Sequence, residues 1–536
     1  MQTGALVYHF INTVVLTIVV AAVVLWRYKA AVLARMTQQS LTPLPSPPIR
    51  ECQVHPAASG AKTALIWEAR LRARIAAAFF LTTLACGLAL AIVVVRLQGM
   101  DATPARTMMM ALVFTLICAP MVIASVALSP IGGLRGFLLF VLVLTALAVL
   151  VDMVEDAALG RSLSPGSSLS AFTTIAAVSM LVPLMFVAIT WPKKVRGVVP
   201  MTAAGLFIFG LAPLVAYEVT SALSATIAGT TFVDRLGPNG VFILVALPSA
   251  WVAWQCLRRL ARRYQNKRLS DVQLLCRVWW IVLVAWECIG TTLQGFWLPL
   301  AAFTALGLAF APVNQWALSR ALRVVARPAQ GTLLLLRVFG HTGRTERLYD
   351  RIGARWRLFG PVTMIIGPDV ASRTIDPGDY LRWLTGRLAD DFVRTQEELD
   401  AKLASLDVAA DPDGRYRVNE FCCHDNTWRA TAAELIQRAD AVVMDLRGQT
   451  RDHHGCEFEL RELASRLTPE RIVLIVDRTT DLSIATEAFG SAMPRTRVVE
   501  LKKRKDLGAL FPMLLDAAAA LPAAPAGLVS APDKTV

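Results

Sequence analysis

Several signatures of familiar nucleotide and metal sites are missing from this sequence. It has neither a Walker A motif nor a GxGxxG fingerprint, which excludes those two modes of phosphate binding. Its nine cysteines are scattered without disulfide spacing, and several fall in apolar runs, which indicates a reducing compartment for any soluble part. CxxC and HxxxH spacings are also lacking, so the common zinc patterns are excluded.

Apolar residues, by contrast, are in excess. They make up 55% of the chain, with a mean hydropathy of +0.51, whereas soluble domains are usually about 45–50% apolar. The excess lies in long runs in the first three-fifths, which predicts an integral membrane protein with a soluble C-terminal region. The net charge of +14 arises mainly from basic loops beside those runs, so we expect the lipid bilayer as a partner and no nucleic acid.

Nine apolar segments are candidate membrane spans. The first carries its positive charges after the apolar run, as an uncleaved anchor does and a secretory signal does not. Alternate loops carry 19 and 4 Lys and Arg residues, so the positive-inside rule places the N-terminus outside and the C-terminal region in the cytoplasm. The predicted spans are residues 5–26, 75–95, 107–128, 134–151, 169–191, 198–217, 240–257, 278–294 and 296–313.

The resulting domain organisation has five parts. The Ala-, Arg- and Val-rich usage favours a bacterial source, and hence the inner (plasma) membrane. Glu287, a carboxylate inside the eighth span, favours a transporter or channel, although the paired broken helices of inverted-repeat transporters are not visible. The parts are an anchor helix (1–35), a Pro-rich cytoplasmic loop (36–74), a transmembrane helical bundle (75–327), a cytoplasmic α/β domain (328–516) and a disordered tail (517–536).

Within residues 328–516, short buried strands alternate with helices. This pattern predicts a parallel, flavodoxin-like sheet with helices on both faces. The predicted strands are 332–338, 362–366, 416–421, 441–446, 472–476 and 498–501, and the predicted helices are 345–357, 379–405, 428–438 and 456–466.

The fourth of these strands ends at Asp445 and is followed by a polar loop and a helix that carries Glu459. Ligands bind at the carboxyl ends of strands in open α/β sheets. A carboxylate there can meet a ribose and stabilise an oxocarbenium ion or attack the anomeric carbon. Alternatively, acidic residues at a helix start only complement its dipole.

A second polar loop follows the first strand, from Phe339 to Arg344. Its two glycines and its threonine could let the backbone approach a phosphate or ribose, although an ordinary turn fits equally well. Glu459 is therefore the candidate catalytic residue. The candidate nucleotide-binding residues are Phe339, Gly340, Gly343, Arg344, Asp445 and His454.

The segment ValValMetAspLeu, a polar loop and GlyCysGluPheGluLeu resembles the strand–loop–helix of Toll/interleukin receptor (TIR) domains. Cys456, Glu459 and Leu460 match that family's Trp-Cys-x-x-Glu-Leu, with Gly455 in place of Trp. The stretch is also similar to nucleoside 2-deoxyribosyltransferases and to a block found in uncharacterised bacterial multi-pass membrane proteins. The resemblance implies a TIR-like domain that binds NAD or a nucleoside, with Glu459 cleaving the N-glycosidic bond in signalling or defence.

Other interpretations stay open. Such domains also act without catalysis, through homotypic contacts, so a scaffold that forms homo-oligomers is an alternative. Cys422, Cys423 and His424 could meet His453 and His454 at one sheet edge as a metal site, if their strands are neighbours. More simply, Cys422 belongs to the core and the histidines line a pocket. No firm cofactor is predicted.

Overall fold

The computed structural model describes residues 19–39 and 43–49 with small gaps, 60–97, 103–118, 227–292, 297–323, 331–337, 342–367, 377–501 and 507–519, with isolated residues between 142 and 206. The predicted span 169–191 and most of spans 5–26, 134–151 and 198–217 lie outside the described residues, as does most of the predicted tail.

Long helices form the first part of the described chain. They are α1 (Ala61–Leu97), α2 (Pro104–Ile117), α3 (Ile227–Gln265), α4 (Asp271–Thr292) and α5 (Trp297–Leu322). Within the described residues, α1 alone is long and apolar enough to cross a membrane, so the structure does not support nine spans. Its 37 residues amount to about 55 Å of helix, and it begins well inside the predicted loop 36–74.

The C-terminal part is a seven-stranded parallel sheet covered by helices, so the α/β class is confirmed. The strands are β1 (Leu333–Arg337), β2 (Val362–Ile365), β3 (Phe392–Val393), β4 (Val418–Cys423), β5 (Ala441–Asp445), β6 (Ile472–Val476) and β7 (Arg497–Glu500). The helices are α6 (Thr342–Trp356), α7 (Pro377–Leu384), α8 (Gln396–Ala404), α9 (Trp428–Arg438), α10 (His454–Arg466), α11 (Leu482–Phe489) and α12 (Leu507–Ala518). The last helix therefore extends past residue 516, the predicted end of the domain.

The strand order is β3-β4-β2-β1-β5-β6-β7. Five strands, β2-β1-β5-β6-β7, keep the flavodoxin-like order, but β3 and β4 extend the sheet beyond β2. With β4 counted and the short β3 set aside, the order is the 3-2-1-4-5-6 of dinucleotide-binding sheets. Because β2 and β1 lie between β4 and β5, the two strands that precede the Cys/His clusters are not neighbours.

The long helix predicted over residues 379–405 is wrong. Helix α7 ends before Gly386, whose φ of 76° suits glycine, and Phe392–Val393 pairs with Cys422–Cys423 as an edge strand. Helix α8 then starts afresh, because the side chain of Thr395 accepts a hydrogen bond from the backbone N–H of Glu398. The charges of this stretch follow helical spacing throughout, so the sequence pattern alone predicts one continuous helix.

Alternate residues of the strands enter two separate apolar layers. Leu333 and Leu335 face one layer, which the long helices and α12 continue, and Leu334 and Leu336 face the layer formed with α9 and α10. In the first layer, Trp67 of α1 packs on Phe359, with ring centroids 5.3 Å apart. The helical part and the sheet therefore share one core.

A polar contact also joins the two parts. The turn between α3 and α4 is held by Arg417, whose guanidinium pairs with Asp411 at 2.9 Å and donates to the carbonyls of Tyr264 (2.5 Å) and Leu269 (3.3 Å). Arg357 donates to Asp271 at 3.1 Å from the same side. We call this set of contacts the dock.

Candidate functional site

The first and fifth strands meet where the chain order reverses. From β1 the connections lead to β2 and β4 on one side, and from β5 to β6 and β7 on the other. In open α/β sheets, ligands bind in the crevice that this reversal leaves at the carboxyl ends of the strands. At that edge Arg337 closes β1 in register with Asp445, which closes β5.

Glu459 reaches this edge from the second turn of α10. Cys456, Glu459, Leu460 and Leu463 form the inward face of the helix, and Glu459 is 2% exposed. Burial raises the pKa of its carboxyl to about 8, and the positive charge of Arg337 offsets part of this shift. Its Oε2 is buried and accepts no hydrogen bond from the described residues. Glu459 is thus a neutral acid at pH 7 in this structure.

Arg337 and Tyr349 complete the buried part of the crevice, and neither was among the residues predicted for the site. The Tyr349 ring lies 5.9 Å from the guanidinium carbon of Arg337, and its hydroxyl donates to the Leu336 carbonyl. Burial raises the pKa of Tyr349, Asp445 and Glu459 raise it further, and Arg337 lowers it. Asp445, Glu459 and Arg337 therefore all lie near the Tyr349 hydroxyl, although they are far apart in sequence.

Asp445 is present at the edge but is already engaged. Its carboxylate accepts two hydrogen bonds from the Arg447 guanidinium, at 2.8 and 2.7 Å, and is itself buried. Arg447 is more exposed than its partner. A bidentate carboxylate fixes a guanidinium well, so Arg447, rather than Asp445, is placed to meet an anionic ligand. The position of Arg447 just after the end of β5 was the feature of the sequence that could have identified it as a site residue.

The loop after β1 is only partly visible. Phe339 and Gly340 lie outside the described residues. Gly343 and Arg344 belong to the first turn of α6, whose N-terminus follows β1 at the carboxyl edge. The N–H groups of a helix N-terminus favour an anion, in agreement with the expected phosphate contact.

The histidines do not converge with Glu459. The side chain of His454 is 82% exposed, and its nearest charged partner is Glu457 at 3.9 Å. His453 is bonded within its own loop to Thr450, and His424 is buried with Nδ1 2.9 Å from the carbonyl of Arg35. The structure therefore gives His424 and His453 different hydrogen-bond partners, in separate segments.

The two cysteines of β4 enter different layers, as adjacent strand residues must. Cys422 packs with the helical segment 26–36, and Cys423 packs with α9 and α10. In the described part of the chain no group of His, Cys, Asp and Glu is arranged to hold a metal ion. The assignment of Cys422 to the core is confirmed.

Trp428 lies beside the motif residue that departs from the TIR pattern. A side chain at Gly455 would meet the Trp428 ring at 3.6 Å, and Trp428 also contacts Phe458 edge-on at 5.5 Å. Trp428 thus packs against the start of α10.

Fold and site together define a doubly wound parallel α/β domain with a charged crevice at its reversal point. Comparison with known proteins adds no name to this class: no protein family, no curated protein and no solved structure matches the chain. The TIR-like interpretation therefore rests on the short motif.

Proposed function

We propose that this is a membrane protein whose C-terminal domain binds a nucleotide such as NAD in the β1/β5 crevice and cleaves its N-glycosidic bond. The observation that carries the proposal is the buried Glu459 carboxyl, which lies at the reversal point beside Arg337 with one oxygen unbonded among the described residues. Buried polar groups in native proteins nearly always have partners, so a ligand is expected to supply one.

The crevice offers matching chemistry for the two ends of such a ligand. Arg447 and the N-terminus of α6 are placed for phosphates. A ribosyl carbon bonded to a cationic base would lower the pKa of Glu459, because a nearby positive charge favours the carboxylate. That carboxylate then stabilises the oxocarbenium ion as the carbon–nitrogen bond breaks and its electron pair leaves with the base. Water supplies the new oxygen on the anomeric carbon and releases a proton.

The membrane location has support from the contacts between the long helices and the α/β domain. Glu68, in the predicted cytoplasmic loop 36–74, is bonded to Arg355, and Tyr264 and Asp271, which lie between the predicted spans 240–257 and 278–294, belong to the dock. Helix α1 contacts the domain through its N-terminal part, where Trp67 and Glu68 lie. This agrees with a domain on the basic, cytoplasmic side of an inner membrane.

The test uses the full-length protein in detergent micelles, because the α/β domain shares its core with α1. NAD and nucleoside turnover are followed for the natural protein and for Glu459→Gln, with Glu457→Gln as the matched control. Glu457 is two residues away but pairs with Arg461 at the surface. We expect turnover that disappears in Glu459→Gln alone. Equal rates in all three proteins would refute the catalytic claim.

The depth of Glu459 favours a second candidate, a signalling module that binds the nucleotide or a second copy without chemistry. A residue that is 2% exposed meets a substrate only if the crevice opens. Saturable NAD binding in calorimetry without turnover, together with assembly unchanged by Glu459→Gln, would favour this function. A transporter role for Glu287 gains no further support.

A further inference from the structure

A cavity of about 180 Å³ lies away from the crevice, beside β4. Its walls come from two separate parts of the chain: the insertion that carries α7, α8 and β4, and Tyr28 of the helical segment 26–36. This volume corresponds to about six water molecules at ~30 Å³ each. The cavity is thus large enough for a small organic molecule.

We propose that this cavity binds a small organic ammonium cation, such as a primary amine. Five charged side chains line it: the carboxylates of Asp379, Asp391 and Glu420, and the cations of Arg382 and Lys402. Three negative charges against two positive ones leave an excess of one negative charge. A cationic ligand would balance it.

Both cations of the wall are already engaged. Arg382 donates to Asp391 at 2.7 Å and also pairs with Asp379. Lys402 donates to the backbone carbonyl of Asp391. Arg382 and Lys402 therefore hold α7, α8 and the turn before β3 together. The wall is left with hydrogen-bond acceptors, rather than donors, for a ligand.

Two buried groups on the wall lack a partner among the described residues. Oδ2 of Asp391 is buried and accepts no hydrogen bond there. Tyr28 is 4% exposed and lines the cavity, and its hydroxyl makes no hydrogen bond within the described chain. An ammonium group has three donors and no acceptor, so it could satisfy both oxygens and interact with the Tyr28 ring.

The local electrostatics agree with a cation. Burial raises the pKa of Tyr28, and the negative charges of Asp379, Asp391 and Glu420 raise it further. Those groups come from three elements around the ring, so the potential in the cavity is negative. The described residues include no group arranged to hold a metal ion, which favours an organic cation.

A bound cation would join two parts of the molecule. It would link Tyr28, which follows the predicted anchor 5–26, to the inserted strands through Asp391. His424 already holds the same segment through the carbonyls of Arg35 and Gln38, at 2.9 and 3.2 Å. Binding is therefore expected to stabilise the contact between this segment and the α/β domain.

The test is isothermal titration of the full-length protein in micelles with butane-1,4-diamine at neutral pH and constant ionic strength, with sodium chloride as the reference titrant. We expect saturable binding of the diamine, weakened about tenfold or more by Asp391→Asn, because a hydrogen bond to a charged group is lost. Asp390→Asn is the matched control, since the adjacent Asp390 faces solvent and pairs with Arg387. It should bind as the natural protein does.

Tyr28→Phe, which removes only the hydroxyl, serves if Asp391→Asn does not fold, as judged by thermal unfolding without amine. A loss of affinity of several-fold in Tyr28→Phe supports the site. No saturable heat with the diamine, or an affinity unchanged in whichever of these two variants folds, would overturn the proposal.

Discussion

The dock and the crevice both bury a carboxyl whose pKa is raised by burial, but the two carboxyls have different partners. At the dock, the Asp411 side chain is 1% exposed but is paired with Arg417 and Lys267, and Arg417 also stacks on the Tyr264 ring at 3.6 Å. In the crevice, Glu459 is equally buried, and burial raises the pKa of its carboxyl to about 8 because the charge of Arg337 compensates only in part.

This difference separates structure from function. A buried charge with several partners holds two elements in place, and removing one partner leaves the other charge uncompensated. The described residues hold Glu459 by no such ion pair, and a buried carboxyl with a perturbed pKa at the carboxyl edge of a sheet is typical of sites that await a ligand. Removing a charge is therefore expected to lower the free energy of unfolding at the dock and to raise it in the crevice.

The largest loss is expected at the dock. Arg417→Met leaves the buried Asp411 carboxylate with Lys267 as its remaining cation and removes the donors to the Tyr264 and Leu269 carbonyls, so the free energy of unfolding should fall by about 3 kcal/mol. Chemical unfolding in micelles measures it. Arg387→Met, which breaks an exposed ion pair, is the control and should lose at most ~1 kcal/mol. A comparable loss in both variants would contradict this account.

In the crevice, removing the charge should instead raise the free energy of unfolding. The pKa of Glu459 is about 8 in the folded chain against 4.5 for an ordinary glutamate, so the folded state binds more protons between these values. The stability this carboxyl gives is complete below pH 4.5 and is lost as pH rises to about 8. Because glutamine does not ionise, the Glu459→Gln variant does not lose this stability as the pH rises. Above pH 8 its free energy of unfolding should be on the order of 3 kcal/mol higher than that of the natural protein. Parallel pH profiles of the two proteins would disprove this.

A third buried charge lies between the two extremes. Glu68 of α1 accepts two hydrogen bonds from Arg355 of α6, at 3.0 and 2.6 Å, and pairs with Arg72. Glu68→Gln keeps the shape but removes the charge, so a loss of about 2 kcal/mol is expected. Thermal unfolding, compared with Glu462→Gln at a more exposed pair, checks it. No difference between the two variants would mean that this contact does not join α1 to the domain.

The smallest expected change in stability lies outside the dock and the crevice, and it serves as a reference for both. Thr395→Ala removes the cap of α8 and should cost about 1 kcal/mol. Thr395→Ser keeps the hydroxyl and should recover most of it. If the serine variant loses as much as the alanine variant, the cap is not the cause.

Much of the sheet could be predicted from the sequence, since short apolar runs ended by polar turns determine where strands begin and end. Residues 472–476 and 428–438 were placed with their observed bounds. β3 could not be predicted, because two apolar residues in a charged stretch form a strand only when Cys422 and Cys423 lie beside them. The position of β4 was missed for the same reason: pairing depends on distant residues.

The sequence by itself determined the α/β class and the strand-to-helix transition at Asp445, because these depend on local patterns of apolar and polar residues, whereas the choice of Glu459 came from the resemblance of a short motif. Only the tertiary structure decided that Arg337 and Tyr349 surround Glu459, that Asp445 holds Arg447 and that His454 points into solvent. The physical reason is burial: the pKa of a carboxyl and the partners of a charge depend on which distant segments exclude water around it, and a linear pattern does not contain that information.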